Sequence, residues 1–136
     1  LNRRFLIGYQ LLTGLQDALT GLLLIFDPSL TLRLMRLQAS PDALPFLSFI
    51  GAFVLSVGIA CLYGAILAAR AASAPKLEAV WLLTAITRGL VAIFVAANIL
   101  SGSLESGWVT VAISDGLFAL VQSIGLAKDW IADARP

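Results

Sequence analysis

Asp17, Arg88 and Asp115 are charged side chains set inside three separate stretches of sequence that are otherwise apolar. Two acids and one base are the elements of an ion-pair network, and an acid held away from water can also take up and release a proton. A bare charge near the centre of a bilayer costs about 2.5–3.5 kcal/mol on insertion scales. The three are therefore expected to offset one another in a buried polar cluster.

Helices are the elements that must bring them together. At 100° per residue, Gln10, Thr13, Gly14, Asp17 and Gly21 form one stripe. Thr84, Thr87, Arg88 and Asn98 read as a shared face of a later helix, and Asp115 and Gln122, seven apart, align on the last. With a rise of about 1.5 Å per residue, Asp17 and Asp115 lie about 18 Å from the shared end of their helices and Arg88 about 14 Å. An arginine side chain can bridge that difference. Two uses of the cluster compete. It is a registration device that fixes which helix faces meet, or its carboxylates with Gln10, Thr84, Thr87, Asn98 and Gln122 form a proton relay or the polar end of a lipid or quinone site. Contact with a charge on a partner subunit is the third alternative.

The stretches that carry these residues are long and apolar: 60% of the 136 residues are hydrophobic and 12% charged, and the mean hydropathy is +0.95. Such values lie outside the range of soluble domains. Spans are expected at about 5–26, 44–69, 79–100 and 108–127, joined by short connections. The expected architecture is all-α, an integral membrane up-down-up-down four-helix bundle in a single domain. Arg3 and Arg4 before an apolar run imitate a signal peptide, but the run is long, contains Asp17 and lacks a small-x-small site, so it reads as a retained span. Asp27-Pro28 ends that span, with Asp27 able to cap the next segment. Residues 28–37 suit an interfacial helix with Leu30, Leu34 and Leu37 on one side, or a loop whose leucines dip into the interface. Pro75 falls in a hydrophilic link from Arg70 to Lys76. Gly51, Gly58 and Gly64, with Ala52, Ser56 and Ala60, give the second span small-residue surfaces for close packing.

Arg3, Arg4, Arg70, Lys76, Lys128 and Arg135 fall on the side of both termini, and Arg33 and Arg36 on the other. Both ends are thus expected in the cytoplasm. Trp81, Trp108 and Trp130 lie near span ends, as interfacial anchors do. The chain has no histidine and a single cysteine, Cys61, which reads as an apolar filler. Metal-assisted and nucleophilic hydrolysis lack their usual parts, so no catalytic or metal site is expected. No cofactor is expected to belong to this chain alone. Net charge of +1 argues against nucleic acid as a partner.

The four closely spaced spans, the Asp-Pro break, and the run Phe49-Ile50-Gly51-Ala52-Phe53 through Gly58 resemble the DoxX-like group of small bacterial membrane proteins. The resemblance covers the layout of most of the chain and implies a quinone-linked oxidoreductase subunit or a protein of unassigned role. It assigns no functional residue. By subtraction, the leading expectation is a non-catalytic accessory subunit of a larger membrane complex, of respiratory or photosynthetic electron transfer. Such a subunit packs against other integral membrane subunits, with lipid, quinone or pigment at the seams. The competing expectation is a small proton-coupled carrier or a quinone- or lipid-binding protein that uses Asp17 or Asp115. A homo-oligomer of identical bundles is a further arrangement.

Overall fold

In the computed structural model, residues 2–70 and 74–133 are described. Residues 71–73 of the expected link and Arg135 of the tail lie outside them. Among the described residues the chain is all-helical, with α1 at Arg3–Phe26, α2 at Pro28–Leu34, α3 at Leu44–Ala69, α4 at Ala74–Leu100, α5 at Val109–Ala127 and α6 at Trp130–Asp133. Short 3-10 turns at Pro41–Ala43 and Ser106–Trp108 lead into α3 and α5. Among the described residues, four helices are long and apolar enough to cross a membrane.

Local chemistry explains the boundaries. The Asn2 side chain accepts from the Arg4 amide at 3.0 Å and caps α1. Asp27 ends α1, and its Oδ1 accepts from the Leu30 amide at 2.8 Å, capping α2 above Pro28. The second connection differs from the sequence expectation. Pro75 lies in the first turn of α4, not in a link, because a proline there gives up only an N–H that has no helical partner.

The segment after α1 also differs in detail. It is a helix, but it buries Thr31 and Leu32 and leaves Leu34 exposed. Arg36, at φ 57°, turns the chain back, so that the Leu37 amide donates to Leu32 O at 2.8 Å and the Arg36 amide to Arg33 O at 3.0 Å. This is a Schellman ending, and it explains why Leu37 packs with Leu32 and not with Leu34. An arginine in the left-handed region is strained. Arg36→Gly is expected to raise stability by about 0.5–1 kcal/mol, read as a shift in reversible unfolding in bicelles.

Packing is tightest between α1 and α3, and next between α4 and α5. The first seam is built on glycine. A Cβ on Gly21 would sit 2.5 Å from Leu55 N, and one on Gly58 would sit 2.5 Å from Ala18 N. Backbone thus meets backbone where any other residue would hold the helices apart. Ala52 and Ser56, grouped with these glycines by spacing, face outward. Arg3 ties the same pair at its end, donating from Nε to Ala68 O at 2.8 Å and from Nη2 to Ala69 O, which occupies carbonyls at the C-terminus of α3.

Two apolar clusters fill the interior. One joins Leu6, Tyr9, Leu67, Ala68, Ala74, Leu77, Trp81 and Ile131, and the other joins Leu24, Leu32, Leu37 and Leu47 with Trp108 against it. Trp81 is fully buried, which overturns its reading as an interfacial anchor. Because α4 starts at Ala74, Trp81 lies two turns inside the helix, against Gly125 of α5. Trp108 and Trp130 are partly buried and pack against the two clusters. The outward faces are apolar, as at Leu12 (63% exposed), Leu83 (65%) and Ile93 (69%).

Candidate site: a buried charged layer between two helix pairs

Between the apolar clusters lies a polar layer drawn from three helices. On α1 it is Gln10, Thr13 and Asp17; on α4, Trp81, Thr84 and Arg88; on α5, Asp115, Phe118 and Gln122. Each set is spaced i, i+3, i+7, which a helix places on one face. The burial pattern agrees: Gln10, Thr13, Asp17, Thr84, Arg88 and Gln122 are all buried, and Asp115 is half-buried.

Arg88 is the centre of this layer. Its Nη1 donates to Asp115 Oδ1 at 2.7 Å, and its Nη2 donates to Asp17 Oδ2. The guanidinium carbon lies 4.8 Å from the centroid of the Phe118 ring, a cation–π distance. One cation therefore ties α4 both to its own partner, α5, and across to α1. The side chain of Arg88 is 2% exposed, against 11% for Asp17 and 20% for Asp115. Removal of such charges from water is offset only when hydrogen bonds and opposite charge replace the solvent, and the planar guanidinium supplies both at once.

A second set of contacts sits one to two turns away. Gln122 Nε2 donates to Thr84 Oγ1 at 2.7 Å, and Thr84 Oγ1 donates to Val80 O at 2.7 Å. Tyr9 donates from its hydroxyl to Phe118 O at 3.0 Å, and its ring is 5.2 Å from that of Trp81. Thr13 Oγ1 donates to Tyr9 O at 3.0 Å. Gln10 lies against Gly64, where the missing Cβ leaves room for its carboxamide.

The structure thus brings together Asp17, Arg88, Asp115, Gln10, Thr84 and Gln122. It does not bring in Thr87 or Asn98. Thr87 is exposed and donates to Leu83 O at 3.0 Å; Asn98 is partly exposed and donates to Phe94 O at 2.8 Å. Thr87 is 100° around the helix from Arg88, and Asn98 is about 15 Å further along it, so each bonds back to its own helix. Tyr9 and Phe118 belong to the site although their types draw no attention in an apolar sequence, and Trp81 belongs to it although its position reads as an anchor. The signal that finds them is spacing: Trp81 is seven residues before Arg88, and Phe118 three after Asp115.

The arrangement can fix helix register, and a carboxyl within it can exchange a proton. Among the described residues, no three His, Cys, Asp or Glu side chains converge in a way that could hold a metal ion. No family model, curated protein or solved structure matches this chain.

Proposed function

We propose that the chain is a multi-pass membrane protein whose charged layer holds its helices in register, and that it serves as a non-catalytic helical subunit of a larger membrane complex. The observation that carries this reading is the engagement of Arg88 by acids from two other helices. Charged groups in the interior are thereby occupied in joining one helix pair to the other. The apolar outward faces supply a lipid-facing surface with area left for neighbouring helices.

The same reading includes an up-down-up-down course. Support comes from the first apolar cluster, which combines the start of α1, the end of α3 and the start of α4, while the second combines the end of α1 with the start of α3. Basic residues on the side of both termini favour a cytoplasmic location for them. The bacterial inner membrane rests on the resemblance to the DoxX-like group alone.

A second reading is favoured by one observation, the greater exposure of the Asp115 carboxylate relative to the guanidinium it binds. In a layer with two acids and one base, Asp115 would take up and release a proton with the aqueous phase as a quinone, lipid or other amphipathic ligand enters and leaves, and the chain would act as a carrier.

Separate Asp17→Asn and Asp115→Asn variants discriminate the two. Native mass measurement of material extracted in mild detergent is expected to show the wild-type chain with other protein subunits, and loss of that association by severalfold in both variants. A lone monomer in the wild type contradicts the subunit reading. Unchanged association with lost ligand-coupled proton movement supports the carrier.

A further inference from the structure

Leu12, Gln16, Leu19, Leu23 and Phe26 follow one another along α1 in alternating steps of four and three residues, the spacing of a helix-pairing seam. All five are exposed. At about 100° per residue this stripe lies on the opposite side of α1 from Gly14 and Gly21, which lie against Leu62 and Leu55 of α3. It also lies apart from Asp17, which turns inward to Arg88. The stripe is therefore an outward face of the bundle, and Gln16 interrupts its apolar surface.

Gln16 stands about 20 Å from the start of α1 at Arg3 and about 15 Å from its end at Phe26, at about 1.5 Å per residue. Its side chain is too short to reach either headgroup region. Ser56 and Thr87 are exposed on other spans, but each donates to a carbonyl of its own preceding turn, Phe53 O at 2.7 Å and Leu83 O at 3.0 Å. Among the described residues, the Gln16 carboxamide makes no hydrogen bond to side chain or backbone. A polar group left so in hydrocarbon is costly, and helices in membranes relieve that cost by bonding across an interface.

The chemistry of the group and its depth identify what answers it. A carboxamide donates through its nitrogen and accepts through its oxygen. An acid answers only the first, a base only the second, and an acyl chain neither. A second carboxamide answers both, through two reciprocal N–H···O bonds. An amide on another protein has the same chemistry, but a copy of this chain inserted the same way brings it at the same depth and in the same stripe. A twofold axis along the membrane normal then sets the two stripes face to face. We propose that the outward face of α1 is an interface between two copies of this chain, joined by a Gln16–Gln16 carboxamide pair within a seam of Leu12, Leu19, Leu23 and Phe26. One polar pair in an apolar seam fixes register and the number of helices that meet. The inference rests on the membrane-spanning reading and holds for a subunit or a carrier alike.

The test uses the full chain in lipid bilayers, labelled at the N-terminus with donor or acceptor dye. Energy transfer is expected to rise with the protein-to-lipid ratio to the level of a dimer. Gln16→Leu should weaken that dimer at least threefold, whereas Gln16→Asn should retain it. Oxidation is expected to join copies through Leu19→Cys but not through Leu83→Cys on the outward face of α4, Cys61 being buried in both. Helical circular dichroism unchanged from the wild type separates loss of pairing from loss of the membrane fold. Transfer no higher than random proximity at every ratio overturns the proposal. So does a dimer that is at least as strong in Gln16→Leu, one that crosslinks through Leu83→Cys alone, or an α1 face that pairs only with a different protein.

Discussion

Arg88→Met is expected to destabilise the protein by about 3–5 kcal/mol, the range for breaking a buried ion pair and leaving its partners unmatched. The size reflects the groups left behind. Asp17 and Asp115 stay in an interior that has no other cation beside them among the described residues, and the Phe118 ring loses the charge packed on it. The neutral triple variant Asp17→Asn/Arg88→Met/Asp115→Asn should recover most of the loss, because a buried network replaced as a whole is often close to neutral. Reversible unfolding in bicelles, comparing the single and triple variants, measures both. A loss under about 1 kcal/mol for Arg88→Met would mean that the guanidinium does not join the two helix pairs.

Gly58→Ala has the next largest expected effect and a different cause. The added methyl carbon would lie 2.5 Å from Ala18 N and 2.9 Å from Ala18 Cα, both backbone atoms that no rotamer change can move. The helices must separate along their closest seam, at about 1–3 kcal/mol after the gain in helix propensity is included. Gly8→Ala is the control. It makes the same chemical change on α1 but meets nothing within 4 Å, so it should stabilise by about 0.5–1 kcal/mol. Opposite signs for one substitution type isolate the seam from any general effect of glycine in a helix.

The meeting of Asp17, Arg88 and Asp115 is legible in the sequence because charge is rare enough in this chain to be conspicuous, and because depth and helical angle can be counted along a helix. The ends of α1 and α4 and the start of α5 are legible for a similar reason, as Asp27-Pro28 and the Ser-Gly turns interrupt long apolar runs. Other features depend on information that spacing does not carry. Pro75 reads equally well as a link residue or as a first-turn residue, and that ambiguity displaced the start of α4 and with it the environment of Trp81. Thr87 and Asn98 read as members of the site by polarity, but their hydrogen bonds to the preceding turn allow them to sit on outward faces without cost. Which glycines face a neighbouring backbone is a property of two helices together. Spacing marks Gly58 as a packing residue, but that it meets the Ala18 backbone, and that Gly21 faces Leu55, emerges only once α1 and α3 are paired.

One guanidinium joining both helix pairs inside the bundle is the feature on which the rest of the architecture depends. Solid-state NMR of the full chain in lipid bilayers, with labels on the Arg88 guanidinium nitrogens and on the aspartate side-chain carboxyl carbons, reads that junction without perturbing it. Dipolar contacts are expected from Arg88 to the carboxyl carbons of both Asp17 and Asp115, with the Asp115 contact matching an N···O separation of 2.7 Å. Contact with neither carboxyl, or with Asp115 alone while Asp17 faces acyl chains, would contradict a guanidinium shared between the pairs.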